Sequence, residues 1–491
     1  MSNLQQRQEK IQEKRKQTSF RDFVRDVCSW LPLSFNKWYG VFSRYPQTDR
    51  IAWVVANEER ETYSQVDEEY RWNFVQSLSG LMGKSHFPPL LHRGDNENVA
   101  YADIILNAKN VYLSIAVVGD SENVLYSRSV KHNCHNVISS IMVRNGSENI
   151  FESSAIVNSS AIFYSHTIQD SHAIWFCQDM IGCQECILCS RLQNTSYCIR
   201  NKQYSPQEYI IEKNSILQNK SRFDDYANEL DFVKSNQWSE WCTGQNILNS
   251  RNVSHGYYSN NVFVAHNVIL FWSTSTSEYI YDAITGWSPL GTHIYGWVSN
   301  SGEHIYCGSH CEDCAYVYYS YDIENCSFCL WCIGLKNKSY YILNKQYTKE
   351  EWYAKVDEIF LQMERGWQLW GFFPATMNPF YFNDTAAYLI DNSFTKEEVT
   401  KLWYLRRDEP IKVDIPEWAV IVKSSELWQF ESVNEQWNWK LDETVCKRVI
   451  IDENGDAYRI IPMELEFLQK HGLPLPRKHW LTRMKENFRI G

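Results

Sequence analysis

The feature that most constrains this chain is a set of columns. Breaking it before Asn98, Asn110, Asn123, Asn136, Asn149, Ala161, Ala173, Cys186 and Cys198 gives units of 12 or 13 residues. The second position is then always β-branched, from Val99, Val111, Val124 and Val137 to Ile150, Ile162, Ile174, Ile187 and Ile199. The fifth is always small, from Ala102 and Ser114 to Cys177 and Ser190. The eighth is aliphatic from Ile105 to Met180, with Gln193 as the exception, and the first is Asn five times running. Such columns predict that each unit is one rung and that like side chains stack rung over rung, burying apolar surface only against their neighbours. β-branched residues suit the stacked strands. A small fifth residue suits a narrow interior or a tight corner, and stacked Asn suits a bend. The periodicity leaves open whether one rung is a full coil or half of a flatter one.

The array is announced twice. Cys189–Tyr209 (CSRLQNTSYCIRNKQYSPQEY) returns at one constant offset as Cys332–Trp352 (CIGLKNKSYYILNKQYTKEEW), and each copy is preceded by cysteines that complete a C-x2-C-x2-C run. A second array is expected to use Val268, Ile280, Ile294, Ile305, Val317, Leu330 and Ile342 as its aliphatic column, at less even steps than the first. The expected fold is mainly β with helical insertions, α+β overall. It comprises two tandem parallel β-solenoid arrays with 12–13-residue rungs, flanked by smaller α/β terminal regions. The expected domains are 1–95 (mainly helical), 96–204 (array 1), 205–241 (helical insertion), 242–347 (array 2), 348–368 (helix) and 369–491 (mixed).

Outside the arrays, Gln5–Lys16 reads as a polar, solvated helix, Ile51–Asn57 as a strand and Glu59–Leu81 as a helix stopped by Pro88 and Pro89. Ser205-Pro206-Gln207-Glu208 and Thr348-Lys349-Glu350-Glu351 are helix starts with capping boxes. Phe223–Val233 and Thr395–Arg407 are expected to be helical. Val445–Ile461 is expected to be a hairpin turning at Glu453–Asp456, and Met463–His471 a helix closed by Gly472. The third column (Tyr112, Leu125, Ile138, Phe151, Phe163, Trp175, Leu188) is apolar and must face outward if the second faces in. Such a stripe needs cover. The chain's own helices or the second array are the first expectation. A partner is the second, with Tyr112, Phe151, Phe163 and Trp175 as its contacts.

The doubled segment, C-x2-C-x2-L-x-N-x2-Y followed by N-K-Q-Y, resembles a signature of uncharacterised proteins of candidate-phylum bacteria with small genomes. Thr62-Tyr63-Ser64-Gln65, Asn110-Val111-Tyr112-Leu113, Arg459-Ile460-Ile461-Pro462 and Leu473-Pro474-Leu475-Pro476-Arg477 extend the resemblance over most of the chain from Thr62 onward. It implies cysteine-rich β-solenoid repeats, in relatives often flanked by zinc-ribbon-like clusters, and carries no established activity. This chain departs from that pattern. Cys28 is the only cysteine before Cys134, and Cys446 the only one after Cys332, so neither flank can assemble four ligands.

Cys183, Cys186, Cys189, Cys326, Cys329 and Cys332 are the candidate ligands for zinc or an iron–sulfur cluster, with Cys307, Cys311 and Cys314 as a further group. Those metals need thiolates converging on one point. The competing expectation is a ladder of buried thiols, because cysteine here substitutes for small residues within the columns. Asp170 and Asp179 lie in successive rungs but in different columns, so no acidic column of a polysaccharide-cleaving solenoid forms. No phosphate loop, dinucleotide fingerprint, zincin motif or nucleophile elbow is present.

The formal charge of −11 argues against a broad nucleic-acid surface. The basic tail Arg477, Lys478, His479, Arg483, Lys485 and Arg489 is expected to be a docking or solvated helix. The charged start MSNLQQRQEK and the lack of a long apolar run point to a cytoplasmic location, with no membrane partner. The sequence therefore leads to a bacterial, non-catalytic scaffold or binding protein presenting repeat-built surfaces to a protein partner, or to a glycan. The alternatives are a carbohydrate-active β-helix enzyme and a zinc- or iron–sulfur-binding protein linked to nucleic-acid handling.

Overall fold

The computed structural model describes residues 3–31, 36–38, 41–43, 66–70, 73–85, 92–229, 236–237, 239–248, 250–260, 262–269, 272–273, 280–284, 287–288, 294–295, 302–366, 372–408, 415–433 and 439–487. The expected strand Ile51–Asn57 lies outside them. The chain forms two compact units, one from Met1–Leu91 with Lys234–Asp408 and one from His92–Val233 with Glu409–Arg489. The C-terminal region is thus divided between the units, and the N-terminal region belongs with residues 234–408.

In the His92–Val233 unit the rung is a full coil. Val111 pairs in parallel with Val124, Val124 with Val137, Val137 with Ile150, and Ile150 with Ile162 and onward to Ile174. Between Arg128 and Ile187 each turn of the coil contains two four-residue strands, such as Glu148–Phe151 and Ser154–Val157. The backbone follows a finer period. Asn149, Glu152, Ala155, Asn158, Ala161, Tyr164, Thr167 and Asp170 all have φ between 43° and 58°. A left-handed residue at every third position turns the chain a quarter-turn, and four such corners close one rung. The residue after each corner points inward and the next outward. Positions two, five, eight and eleven therefore form the interior: Ile150, Ser153, Ile156 and Ser159, all buried. For a non-glycine residue the left-handed region costs roughly 1–2 kcal/mol, and Asn bears it best. That accounts for Asn at the first position. The Asn side chains then link to each other rather than to the bend, Asn98 to Asn110, Asn110 to Asn123 and Asn123 to Asn136, at 2.8–2.9 Å from amide N–H to amide oxygen.

The column assignment needs one correction. Cys186 pairs with Ile174 and with Cys198, whereas Ile187 pairs with Trp175 and with Ile199. From residue 185 onward every position in the expected columns is displaced by one, and a one-residue displacement exchanges the inner and outer faces. Cys186 and Cys198 are inside. Ile187 and Ile199 belong to the outer stripe with Trp175, and Leu188 stands at a corner with φ 56°. Cys189, not Ser190, holds the fifth position. Leu192 faces inward with the interior cluster, so the Gln193 exception disappears.

The outer stripe is covered by the chain itself. Phe151 stacks on Phe467 at 6.0 Å, Phe163 lies 5.2 Å from His471, and Trp175 meets Phe223 edge-on at 6.3 Å. The cover comes from the insertion (helices Pro206–Gln218 and Phe223–Asn228) and from the helix Pro462–His471 with its following segment. The capping box of Ser205 and Glu208 starts the first of these helices, and Gly472, left-handed at φ 65°, ends the last. The expected hairpin is narrower than predicted, Val449–Ile451 against Ala457–Tyr458. The helix at Phe223 ends at Asn228.

In the other unit the strands also pair in parallel. Ile294 pairs with Ile305, Ile305 with Val317, Val317 with Cys329, and Cys329 with Tyr341. The expected column holds from Ile294 to Val317 and then leaves it: Leu330 and Ile342 continue the outer column of Tyr306 and Tyr318. Val268 pairs with Ala283 rather than with Ile280. The helix Lys349–Arg365, capped by Thr348 and Glu351, packs on this unit. The first helix runs Asn3–Lys16 and is docked rather than solvated. Ile11 is buried, Arg7 pairs with Asp357, Gln8 donates to the Tyr318 hydroxyl at 2.6 Å and Lys10 to Glu364 at 2.7 Å. Of the helix expected over Glu59–Leu81, residues 59–65 and 71–72 lie outside the described residues; Phe74–Lys84 is helical, and the Asn73 side chain caps it by accepting from the Gln76 N–H. That expected over Thr395–Arg407 is only Lys396–Lys401.

Candidate functional site

The cysteines follow from the three-residue corner period. C-x2-C-x2-C is three consecutive inward positions: Cys183, Cys186 and Cys189 occupy the eleventh, second and fifth columns. Each thiol in the fifth column does what serine does elsewhere in that column. Ser153 Oγ donates to the Phe151 carbonyl at 2.8 Å and accepts from the Ser165 N–H at 3.0 Å. Cys177 Sγ donates to the Trp175 carbonyl at 3.1 Å and accepts from the Cys189 N–H at 3.3 Å. Cys183, Cys186 and Cys189 are at most 1% exposed, and their thiols donate to the Ile181, Gln184 and Ile187 carbonyls at 3.3–3.5 Å.

Neighbouring thiols and burial push Cys183 and Cys189 well above the ordinary thiol range, and Cys186 rises to about 12. Cys326, Cys329 and Cys332 are placed likewise in the other unit. There the neighbouring thiols draw Cys326 below the ordinary thiol range and push Cys329 well above it, while the Cys314, Cys326 and Cys329 thiols donate to the Glu312, Glu324 and Ser327 carbonyls. Among the described residues no three His, Cys, Asp or Glu side chains are grouped to hold a metal ion.

Of the four aromatic candidates, Phe151, Phe163 and Trp175 are buried under the chain's own segments, and Tyr112 is half-buried between Tyr101 and Tyr126. Asp170 and Asp179 both sit at left-handed corners, Asp170 accepting from Asn158 at 2.6 Å.

The column left open is a polar one. Glu148 pairs in parallel with His135 and with Ser160, Ser160 with His172, and His172 with Gln184. Glu148, His172 and Gln184 are exposed, and the Ser160 hydroxyl meets His172 Nδ1 at 2.7 Å. Two further features escaped the sequence. The first is a group of buried cations. Arg128 and Lys131 stand on one strand and Arg144 on the next, and burial beside Arg144 holds Lys131 down to about 7.

The second is a cleft of about 110 Å³ between the coil, the insertion and the tail of this unit, lined by Glu152, Lys220, Asp224, Lys478, Arg483 and Glu486 among others. Arg483, from the basic tail, is 3% exposed. Its guanidinium lies 2.9 Å from Glu464 and 3.7 Å from Glu152, and faces the Tyr126 ring. Burial lifts the Glu152 carboxyl to about 7 against the pull of Arg483, with Asp224 and Glu486 adding to the rise. Burial likewise raises Glu464 and lowers Lys220 to about 8. No signal in the sequence joined Glu152 to Arg483.

Comparison with protein-family models, curated proteins and solved structures finds no match for this chain. Among the described residues no helix is long and apolar enough to cross a membrane.

Proposed function

We propose that this is a non-catalytic scaffold or binding protein, built from two tandem solenoid arrays and presenting a repeat-built surface to a protein partner. The observation that carries this is the open column Glu148, Ser160, His172 and Gln184, which offers one polar side chain per rung while the apolar stripe is used by the chain's own packing. Strand spacing sets these side chains about 4.8 Å apart, a repeat that successive strands of a partner's sheet can match. A glycan is the second ligand class. The resemblance to candidate-phylum bacterial proteins and a cytoplasmic location belong to the same proposal. The test is affinity purification from the native cell with Glu148→Arg/His172→Glu beside the wild type. A partner kept by the wild type and lost by the variant supports the proposal. Equal recovery of every partner by both overturns it.

The enzyme alternative is favoured by one observation, a carboxyl near 7 at Glu152 in a polar cleft that also holds Asp224. That combination suits a general acid. Polysaccharide cleavage abolished by Glu152→Gln would establish it. Zinc or an iron–sulfur cluster on the cysteine runs, with a role in nucleic-acid handling, is tested by metal analysis of the purified protein. Less than a stoichiometric amount ends that alternative.

A further inference from the structure

The cluster around Arg483 has one guanidinium between a buried carboxylate, Glu464, and a half-buried one, Glu152. Glu464 is 0% exposed, and Glu152 retains about a fifth of its side-chain surface. Arg483 satisfies Glu464 at hydrogen-bond distance, but its approach to Glu152, 3.7 Å, is too long for a hydrogen bond. Two carboxylates against one cation leave an excess negative charge with little water to solvate it.

The rest of the surroundings does not correct the excess. From the coil, Tyr126, Tyr164 and His166 face the site. The insertion brings Lys220 and Asp224. Lys220 donates to the Gly472 carbonyl and lies over the Phe223 and Trp439 rings. The tail brings Arg477, Lys478, His479 and Glu486. Arg477 lies 3.8 Å from Glu431, and Lys478 is paired with Glu486 at 2.8 Å, so these cations are already matched.

The element held by this cluster is the helix Trp480–Asn487. Its eight residues are too few for a stable helix in isolation, so it depends on what it docks against. Its contacts are Trp480 stacked on Tyr126 at 6.1 Å, Asn487 donating to the Ser139 carbonyl at 2.7 Å, buried Met484, and Arg483.

We propose that Trp480–Asn487 is a pH-sensitive latch on the coil, closed when Glu152 carries a proton and loosened when it loses it. Release returns Glu152 to water, where it ionises readily. The helix therefore opens with loss of a proton, and opening is favoured as pH rises from the ordinary carboxyl range through about 7. Glu464 drives the same direction. His479, lowered by burial, drives the opposite one and acts only on the acid side. Lys220, held down to about 8 by burial, is protonated through about pH 7 and opposes the trend only toward pH 8. The inference does not depend on what the protein binds.

The test is hydrogen exchange of residues 480–487 in the full chain at pH 6, 7 and 8, corrected for the intrinsic exchange rate. In the wild type the opening constant should rise about tenfold from pH 6 to pH 8. In Glu152→Gln, whose neutral amide mimics the protonated acid, the rise should shrink to what Glu464 and His479 leave. Asn487→Ala should raise opening at every pH and leave the slope unchanged. The same slope in Glu152→Gln as in the wild type, or protection that grows with pH, would overturn the proposal.

Discussion

Exchanging one side chain in the fifth column separates a structural cysteine ladder from a metal site. Ser153→Ala removes the acceptor of the buried Ser165 N–H, for which Ser153 Oγ is at 3.0 Å. The Phe151 carbonyl keeps its bond from the Tyr164 N–H at 3.0 Å, so one group is orphaned, not two. A buried donor left unsatisfied costs about 1–3 kcal/mol. Ser153→Cys should cost under about 1 kcal/mol, because Cys177 performs the same task with an acceptor distance of 3.3 Å. The reciprocal experiment is sharper. Cys177→Ser keeps donor and acceptor and should stay within about 1 kcal/mol of the wild type, whereas Cys177→Ala orphans the Cys189 N–H and should lose about 1–3 kcal/mol. Cys189, which accepts from the Asn201 N–H at 3.3 Å, should rank its substituents the same way. A metal site ranks them differently, since neither Ser nor Ala replaces a thiolate ligand. Urea unfolding gives the totals, and hydrogen exchange at Ser165 and Cys189 gives the local cost. If Cys177→Ser and Cys177→Ala are equally damaging, or Ser165 exchange is unchanged in Ser153→Ala, the ladder argument fails.

Three further outcomes are expected. Ile150→Ala, between Val137 and Ile162 on adjacent strands and 0% exposed, should cost about 2–5 kcal/mol in urea unfolding. Gly302→Ala drives a Cβ into the Cys314 carbonyl oxygen at φ +126° and should abolish the native near-ultraviolet dichroism of that coil, whereas Gly83→Ala meets nothing within 4 Å and should be neutral. A carboxyl raised from 4.5 to about 7 binds more protons folded than unfolded between those values. Glu152 therefore stabilises the fold fully below its unfolded value, and up to about 3 kcal/mol is lost as pH rises through 7. Glu152→Gln should remove that part of the pH dependence of the urea midpoint.

The columns were legible because a stacked rung repeats its chemistry once per turn of the coil, and β-branched, small and aliphatic residues leave separate marks. They were misplaced where the chemistry was exchanged. Ile187 looks like another inward residue after Ile174, yet Cys186 points in. A column found by residue type drifts when cysteine replaces isoleucine inside and isoleucine replaces an aromatic outside. The same exchange moved Leu330 and Ile342 out of the column led by Ile305. The three-residue corner period was harder to see, because a left-handed backbone marks the sequence only where Asn takes the position. At Glu152, Ala155 or Tyr164 nothing in the residue type reports it. The cysteine runs carried that period in plain view, but spacing alone also suits a metal knuckle. Only the direction of each side chain distinguishes the two.

The cleft was out of reach for a different reason. Glu152 and Arg483 stand far apart in the chain, one midway along the rungs of residues 98–203 and the other in the helix Trp480–Asn487. Each alone has an ordinary explanation, one as a corner acid and the other as part of a basic tail. Repetition fixes what stacks on what within a coil, because every rung poses the same packing problem as its neighbour. It does not fix which once-occurring segment covers an outer stripe. Phe151, Phe163 and Trp175 required some cover, and the chain supplies it from residues 223 and 460–476, which share no repeat with them. The charged cluster forms where this non-repeating cover ends and the regular coil continues. Three unique side chains from three segments meet there with charges that do not balance. On this physical account, any function that depends on a single residue belongs at that boundary, whereas a function that depends on many equal contacts belongs on the open polar column.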